Sequence, residues 1–166
     1  MTNDRITIRR AQAEDTEVLG RLGAALVRLH HGFDPRRFLT PGPRLEEGYG
    51  HFLTTQQAND GVAVFVAERD GVVIGYVYAG IEPRSWKELR DTAGFIHDVV
   101  VDPAARGSSA GTRLIEAAAE WLIGRGMPRV MLWTAEKNHD AQRLFEHLGF
   151  RRTMIEMTRE ATPADG

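Results

Sequence analysis

The sequence predicts a mixed α/β (α+β) domain, with an antiparallel front half and a strand–helix–strand–helix back half. Three observations carry this. Two β-rich runs are joined through Arg69-Asp70-Gly71, and Asp-Gly between such runs is a hairpin signal. From Phe95 onward strand-like and helix-like patterns alternate, as a sheet flanked by helices requires. The chain has 166 residues, 42% hydrophobic and 27% charged, enough for one well-filled core. Residues 1–160 read as a single domain, followed by a short polar tail over 161–166.

The elements follow in order. Ile6 and Ile8 alternate with polar residues across Arg5–Arg10, the pattern of a half-buried strand. Asp15 then precedes a helix whose apolar face is Val18, Leu19, Leu22, Leu26 and Leu29, ending near Gly32. Proline and glycine mark 34–43 as a loop. A second helix over 45–57 carries Gly48 and Gly50, which weaken it. Strands are predicted over 62–68 and 72–78, then a polar connection over 82–92, then a buried strand over 95–101. Leu114, Ile115, Ala118, Leu122 and Ile123 form the inner face of a helix that stops at Gly126. A short strand at 130–134 leads to Asn138, an N-cap for a helix with Ala141, Leu144, Phe145 and Leu148 inside. Arg151–Thr158 alternates as a final strand. Trp121 and Trp133 read as core.

Composition narrows the function. Cysteine is absent, which removes disulfides, cysteine-ligated zinc and a thiol nucleophile. A net charge of −2 speaks against nucleic acid, which selects for a clustered basic face; Arg36, Arg37 and Arg44 read as a solvated rim. No run approaches the roughly 18 apolar residues of a membrane helix, and no signal peptide pattern opens the chain. The expectation is a cytoplasmic protein with no membrane and no nucleic-acid partner.

The chemistry is concentrated in the turn from Val101 to Thr112, between a strand and a helix. Small residues from Gly107 to Gly111 let a ligand approach the backbone, and the helix start presents free N–H groups, an arrangement suited to a diphosphate. A P-loop would need a lysine where Arg113 follows Gly111-Thr112, and the Rossmann glycine fingerprint is absent. The turn alone leaves a phosphate site and a merely permissive connection equally open.

Val101, Pro103, Arg106, Gly107, Gly111 and Leu114, followed by Asn138, Ala141, Phe145 and Leu148-Gly149-Phe150, resemble in order and spacing the GNAT superfamily of acetyl-CoA-dependent N-acetyltransferases. The resemblance implies a mostly antiparallel central sheet splayed between its fourth and fifth strands. It implies acetyl-CoA as cosubstrate, with the backbone of Arg106, Gly107, Ser108, Ser109, Ala110, Gly111 and Thr112 on the pyrophosphate. Val99, Val100 and Val101 would lie along the pantetheine, and Asn138 and Phe145 on the other side of the thioester. It also suggests a homodimer. Two departures stand out. Ser109 replaces a glycine, which is harmless at negative φ and strained at positive φ. Phe145 replaces a frequent tyrosine thought to protonate the leaving thiolate, so Tyr76, Tyr78 or water would take that part.

An amine must lose a proton before attacking a thioester. His97, where some family members carry a glutamate, is the candidate base. Strand alternation puts neighbouring Asp98 on the opposite face, in a structural part anchoring the loop after Thr92. His30, His31 and Asp34 lack metal spacing, so no metal is expected. Trp86 reads as a packing anchor rather than a lid, and Glu156 either faces the acceptor cleft or forms a salt bridge. The leading reading is an acyltransferase acting on a small-molecule amine, or a peptide amine, by direct attack in a ternary complex. The alternatives are a non-catalytic acyl-CoA-binding regulatory module and a nucleotide-binding protein.

Overall fold

In the computed structural model the described residues are 5–162. The strands are β1 (Ile6–Arg10), β2 (Val62–Arg69), β3 (Val72–Glu82), β4 (Ala93–Val101) and β5 (Val130–Leu132). The helices are α1 (Thr16–Phe33), α2 (Leu45–Gln56), α3 (Ala110–Gly124) and α4 (His139–His147). The sheet runs in chain order from β1 to β5. Every pairing is antiparallel except that of β4 with β5. Between β2 and β3, Asp70 and Gly71 both take positive φ, 52° and 77°, as a two-residue type I′ hairpin requires.

Each face of the sheet has its own core. On one side Ile74, Val77, Ala79 and Ile96 pack under Leu114, Ile115, Ala118 and Leu122 of α3. On the other, Val64, Val66, Tyr76 and Val100 meet Leu19 and Leu22 of α1 and Leu53 of α2. The glycines that weakened the reading of α2 explain its position. A Cβ on Gly50 would stand 2.5 Å from the carbonyl oxygen of Thr16, and one on Gly20 would stand 2.2 Å from that of Glu46. The two helices therefore cross backbone to backbone. Gly23 opens the same contact for the ring of Tyr49, whose Cδ1 lies 2.1 Å from where a Cβ would be.

Three expectations are corrected. Arg151–Thr158 forms no strand, and residues 151–160 are all exposed. Alternation is a local signal, whereas a strand needs a partner. Here the chain leaves α4 toward the loop after α1, where Glu156 pairs with Arg37 and Arg36 Nη2 donates to the Thr162 carbonyl at 2.8 Å. Trp133 is not core but 73% exposed, because β5 ends at Leu132 and Trp133 meets the sheet only edge-on against Phe95. Ile123 is 60% exposed, lying off the stripe through which Leu122 covers Gly94. The polar tail lies outside the described residues from 163 onward.

Candidate active site

The site begins where the sheet opens. β5 pairs with β4 only through Gly94, Phe95 and Ile96. From His97 to Val101 the β5 side of β4 has no strand partner, while on its β3 side Asp98 to Val101 stay paired. This is the splay between the fourth and fifth strands. It leaves the edge of Val99, Val100 and Val101 facing the gap, a template for an extended amide chain.

At the end of that edge Asp102 caps the following turn, its Oδ1 accepting from the Ala104 N–H at 3.0 Å. Gly107 takes a φ of 82°, so the one position that demands a glycine has one. Ser109 has φ −76°, so serine stands there without strain. Ser108 Oγ donates to the Ala105 carbonyl at 2.6 Å, holding the turn closed. Gly111 and Thr112 lie in the first turn of α3, whose N–H groups have no intrahelical acceptor. Arg106 is exposed beside them. Across the gap, Asn138 caps α4 by accepting from the Ala141 N–H at 3.3 Å. Phe145 is half-buried against Phe150, their ring centroids 6.0 Å apart.

A register shift in the β3–β4 ladder reshapes the candidate base. Tyr78 pairs with Asp98 and Ala79 with Ile96, leaving His97 as one extra residue in β4. Such a bulge breaks alternation. Ile96 joins the α3-side core, yet His97 and Asp98 both line a pocket of ≈ 190 Å³ on the α1–α2 side, with Leu26, Val27, His30, Phe38, Leu39 and Tyr49. The expectation that the two side chains take opposite faces is thus overturned.

His97 Nε2 lies 3.0 Å from Glu82 Oε1, and its ring is 4.8 Å from that of Tyr78. With Nε2–H directed at the carboxylate, Nδ1 is left as the basic nitrogen. Asp98 does not anchor the loop after Thr92. Its Oδ2 accepts from Tyr49 Oη at 2.5 Å and from fully buried Tyr76 Oη at 2.9 Å. Burial pushes the Asp98 carboxyl above its ordinary range, against the two hydroxyls that pull it down. Burial also raises all three tyrosines, so their phenols stay protonated. Tyr78 Oη donates to Gln56 Oε1 at 3.3 Å.

The remaining candidates resolve simply. His30 Nδ1 is 2.9 Å from the Leu26 carbonyl, and among the described residues no three His, Asp or Glu gather as a metal site. Arg37 and Arg44 are engaged with Glu156 and Glu47. Trp86 is 79% exposed and stacks only under Arg84, 4.7 Å from its ring. Sequence reasoning missed Glu82, Tyr49 and the part of Asp98. The period-two series Tyr76, Tyr78, Gly80, Glu82 could have revealed Glu82 had the strand been extended past Tyr78.

An open strand edge, an amide-lined turn at one end and a polar-floored pocket at the other lie in series along β4. The Acetyltransferase (GNAT) family model matches residues 24–150, and the chain belongs to that family. It is 36% identical over 104 residues to a mycothiol acetyltransferase of Thermomonospora curvata, a stretch covering 63% of this chain and 33% of that protein. It is 38% identical over 91 residues to an uncharacterised N-acetyltransferase of Methanocaldococcus jannaschii, covering 55% of this chain and 40% of that one. The matched stretch therefore spans only a third to two fifths of these relatives. Among solved structures, aminoglycoside N-acetyltransferase AAC(6')-Iy in complex with CoA superposes with TM-score 0.72 at 21% identity, over 95% of this chain and 96% of that one. A mutant of a Bacillus halodurans protein, BH1408, gives TM-score 0.81 at 18% identity, over 94% and 99%. These two likenesses establish the fold alone.

Proposed function

We propose that this chain is an N-acetyltransferase that moves an acetyl group from acetyl-CoA to a primary amine of a small molecule, by direct attack in a ternary complex. The observation that carries the reading is the unpaired edge of β4 from His97 to Val101, running from the amide turn to the pocket. A pyrophosphate on the amides from Arg106 to Thr112 would lay the pantetheine along Val99, Val100 and Val101, between them and the flank of Asn138 and Phe145, and deliver the thioester near His97. His97 Nδ1 takes one proton from the ammonium, the freed lone pair forms the new C–N bond, and the nitrogen's second proton is lost to solvent as the C–S bond breaks. The leaving thiolate is protonated by solvent, since Phe145 has no proton to give and Tyr76 is committed to Asp98.

The proposed location is the cytoplasm; no described helix is long and apolar enough to cross a membrane. The exposed Met154, Ile155 and Met157 support a homodimer that would cover them. A thiol-release assay with purified protein tests the activity, and thermal denaturation with acetyl-CoA tests the binding. Saturating ligand at about 100 times its Kd adds about 2.7 kcal/mol, a rise of several degrees. His97→Ala should lower the transfer rate by roughly 100-fold at neutral pH. The second reading, an acyl-CoA-binding regulator, is favoured by Phe145 alone; it would show the thermal shift with no amine turned over.

A further inference from the structure

The pocket beside the open edge holds a carboxylate that lacks a counter-ion. Asp98 is half-buried beneath α1 and α2, and among the described residues it forms no salt bridge. The ionisable side chains of opposite sign that act on it are the histidines His97 and His30. Both tyrosine hydroxyls converge on one oxygen, Oδ2, which leaves Oδ1 for the pocket. A carboxylate in that position is costly unless something cationic joins it.

The walls say what kind of cation. Leu26, Val27, Phe38 and Leu39 are apolar. The one polar group on the α1 wall, His30, has its Nδ1 directed at the Leu26 carbonyl. Apart from His30 Nε2 these walls offer a hydroxyl-rich ligand no partner, so most of its hydroxyls would lie against carbon. The volume of ≈ 190 Å³ is the liquid share of about six waters, room for an amine-bearing end and a ring's worth of carbon.

Resting on the transferase reading above, we propose that the acceptor is a primary ammonium on a compact apolar body, and that Asp98 seats its nitrogen. Tyr49 and Tyr76 are positioning residues that fix the Asp98 carboxylate. A primary ammonium has three N–H groups. One reaches Asp98 Oδ1 and one reaches His97 Nδ1 and passes its proton there; the lone pair so freed first faces His97, and rotation about the C–N bond turns it to the open β4 edge while another N–H takes up Asp98 Oδ1. Asp98 stays an anion throughout, holding the acceptor in place while His97 carries the proton.

The test compares benzylamine with glucosamine, which carries the same primary amine on a polyhydroxylated ring. Transfer is measured for the full chain and for Asp98→Asn and Tyr49→Phe, with acetyl-CoA thermal shifts alongside. The full chain should favour benzylamine in kcat/KM by roughly 100-fold. Asp98→Asn should raise the benzylamine KM by roughly 10- to 100-fold, and Tyr49→Phe by several-fold, with the acetyl-CoA shift unchanged in both. Tyr49→Phe carries the test if Asp98→Asn does not fold. Equal or better use of glucosamine, an unaltered benzylamine KM in the variants, or no turnover of either amine with the acetyl-CoA shift intact would each overturn the acceptor assignment. Loss of that shift in the unmodified chain would instead overturn the transferase reading beneath it.

Discussion

Gly23 lies on α1, remote from any reacting atom, yet the structure makes it a determinant of the acceptor pocket. A methyl placed there would meet Tyr49 Cδ1 at 2.1 Å and Cε1 at 2.5 Å. The ring must recede by about 1.3 Å to reach ordinary contact, and Tyr49 Oη then loses its 2.5 Å bond to Asp98. Gly23→Ala gains about 1 kcal/mol of helix propensity. Against this stand about 1–3 kcal/mol of overpacking and about 1.5–3 kcal/mol for a hydrogen bond to a charged acceptor. The net loss is about 1.5–5 kcal/mol, or a fall in Tm of roughly 3–20 °C for a domain of this size. Gly48→Ala is the matched control, because nothing lies within 4 Å of its Cβ position; it should raise Tm by a few degrees. Calorimetry of both variants, with the acceptor KM, decides the matter. A Gly23→Ala protein as stable as its parent, with unchanged KM, would refute the argued chain from helix crossing to carboxylate.

Three further outcomes are expected. Gly107→Ala meets no atom within 4 Å but must hold φ near 82°, so it should cost about 1–2 kcal/mol and reduce the acetyl-CoA-induced rise in Tm. Asp15 is 6% exposed and bound by Arg9 at 2.8 Å and 3.0 Å, which holds its carboxyl below the ordinary 3.8. Asp15→Asn should therefore cost about 2–3 kcal/mol at pH 7, and denaturant titrations should show that gap closing as pH falls below 3.8. Asp98 has the opposite sign. Its folded-state value is raised by burial, so its contribution to stability is lost as pH rises from 3.8 through that raised value. Asp98→Asn should raise Tm at neutral pH and leave it unchanged in acid, where the native carboxyl is already neutral.

What could be read from the sequence was what local chemistry determines. Asp70-Gly71 names its hairpin because both residues tolerate positive φ. The turn at Gly107 was legible for the same reason, and a φ of −76° at Ser109 removes the tension that the sequence left there. What could not be read depends on a partner. The shared face of His97 and Asp98 comes from the register against β3, which no periodicity within β4 reveals. Tyr49 was hidden because α2 is patterned less by hydrophobicity than by Gly50 and its approach to Thr16. Arg151–Thr158 alternates like a strand, but the paired sheet supplies it no neighbour.

The bulge in β4 also has a consequence for tolerance to deletion. Since Tyr78 faces Asp98 and Ala79 faces Ile96, His97 is supernumerary. Excising it would join Ile96 to Asp98 with each already on the correct side and its cross-strand neighbour unchanged. Losing a residue from an interior strand ordinarily reverses the parity of everything beyond it; here the loss would restore parity. The ladder can do without His97, and the residue is thereby free to be selected for chemistry alone.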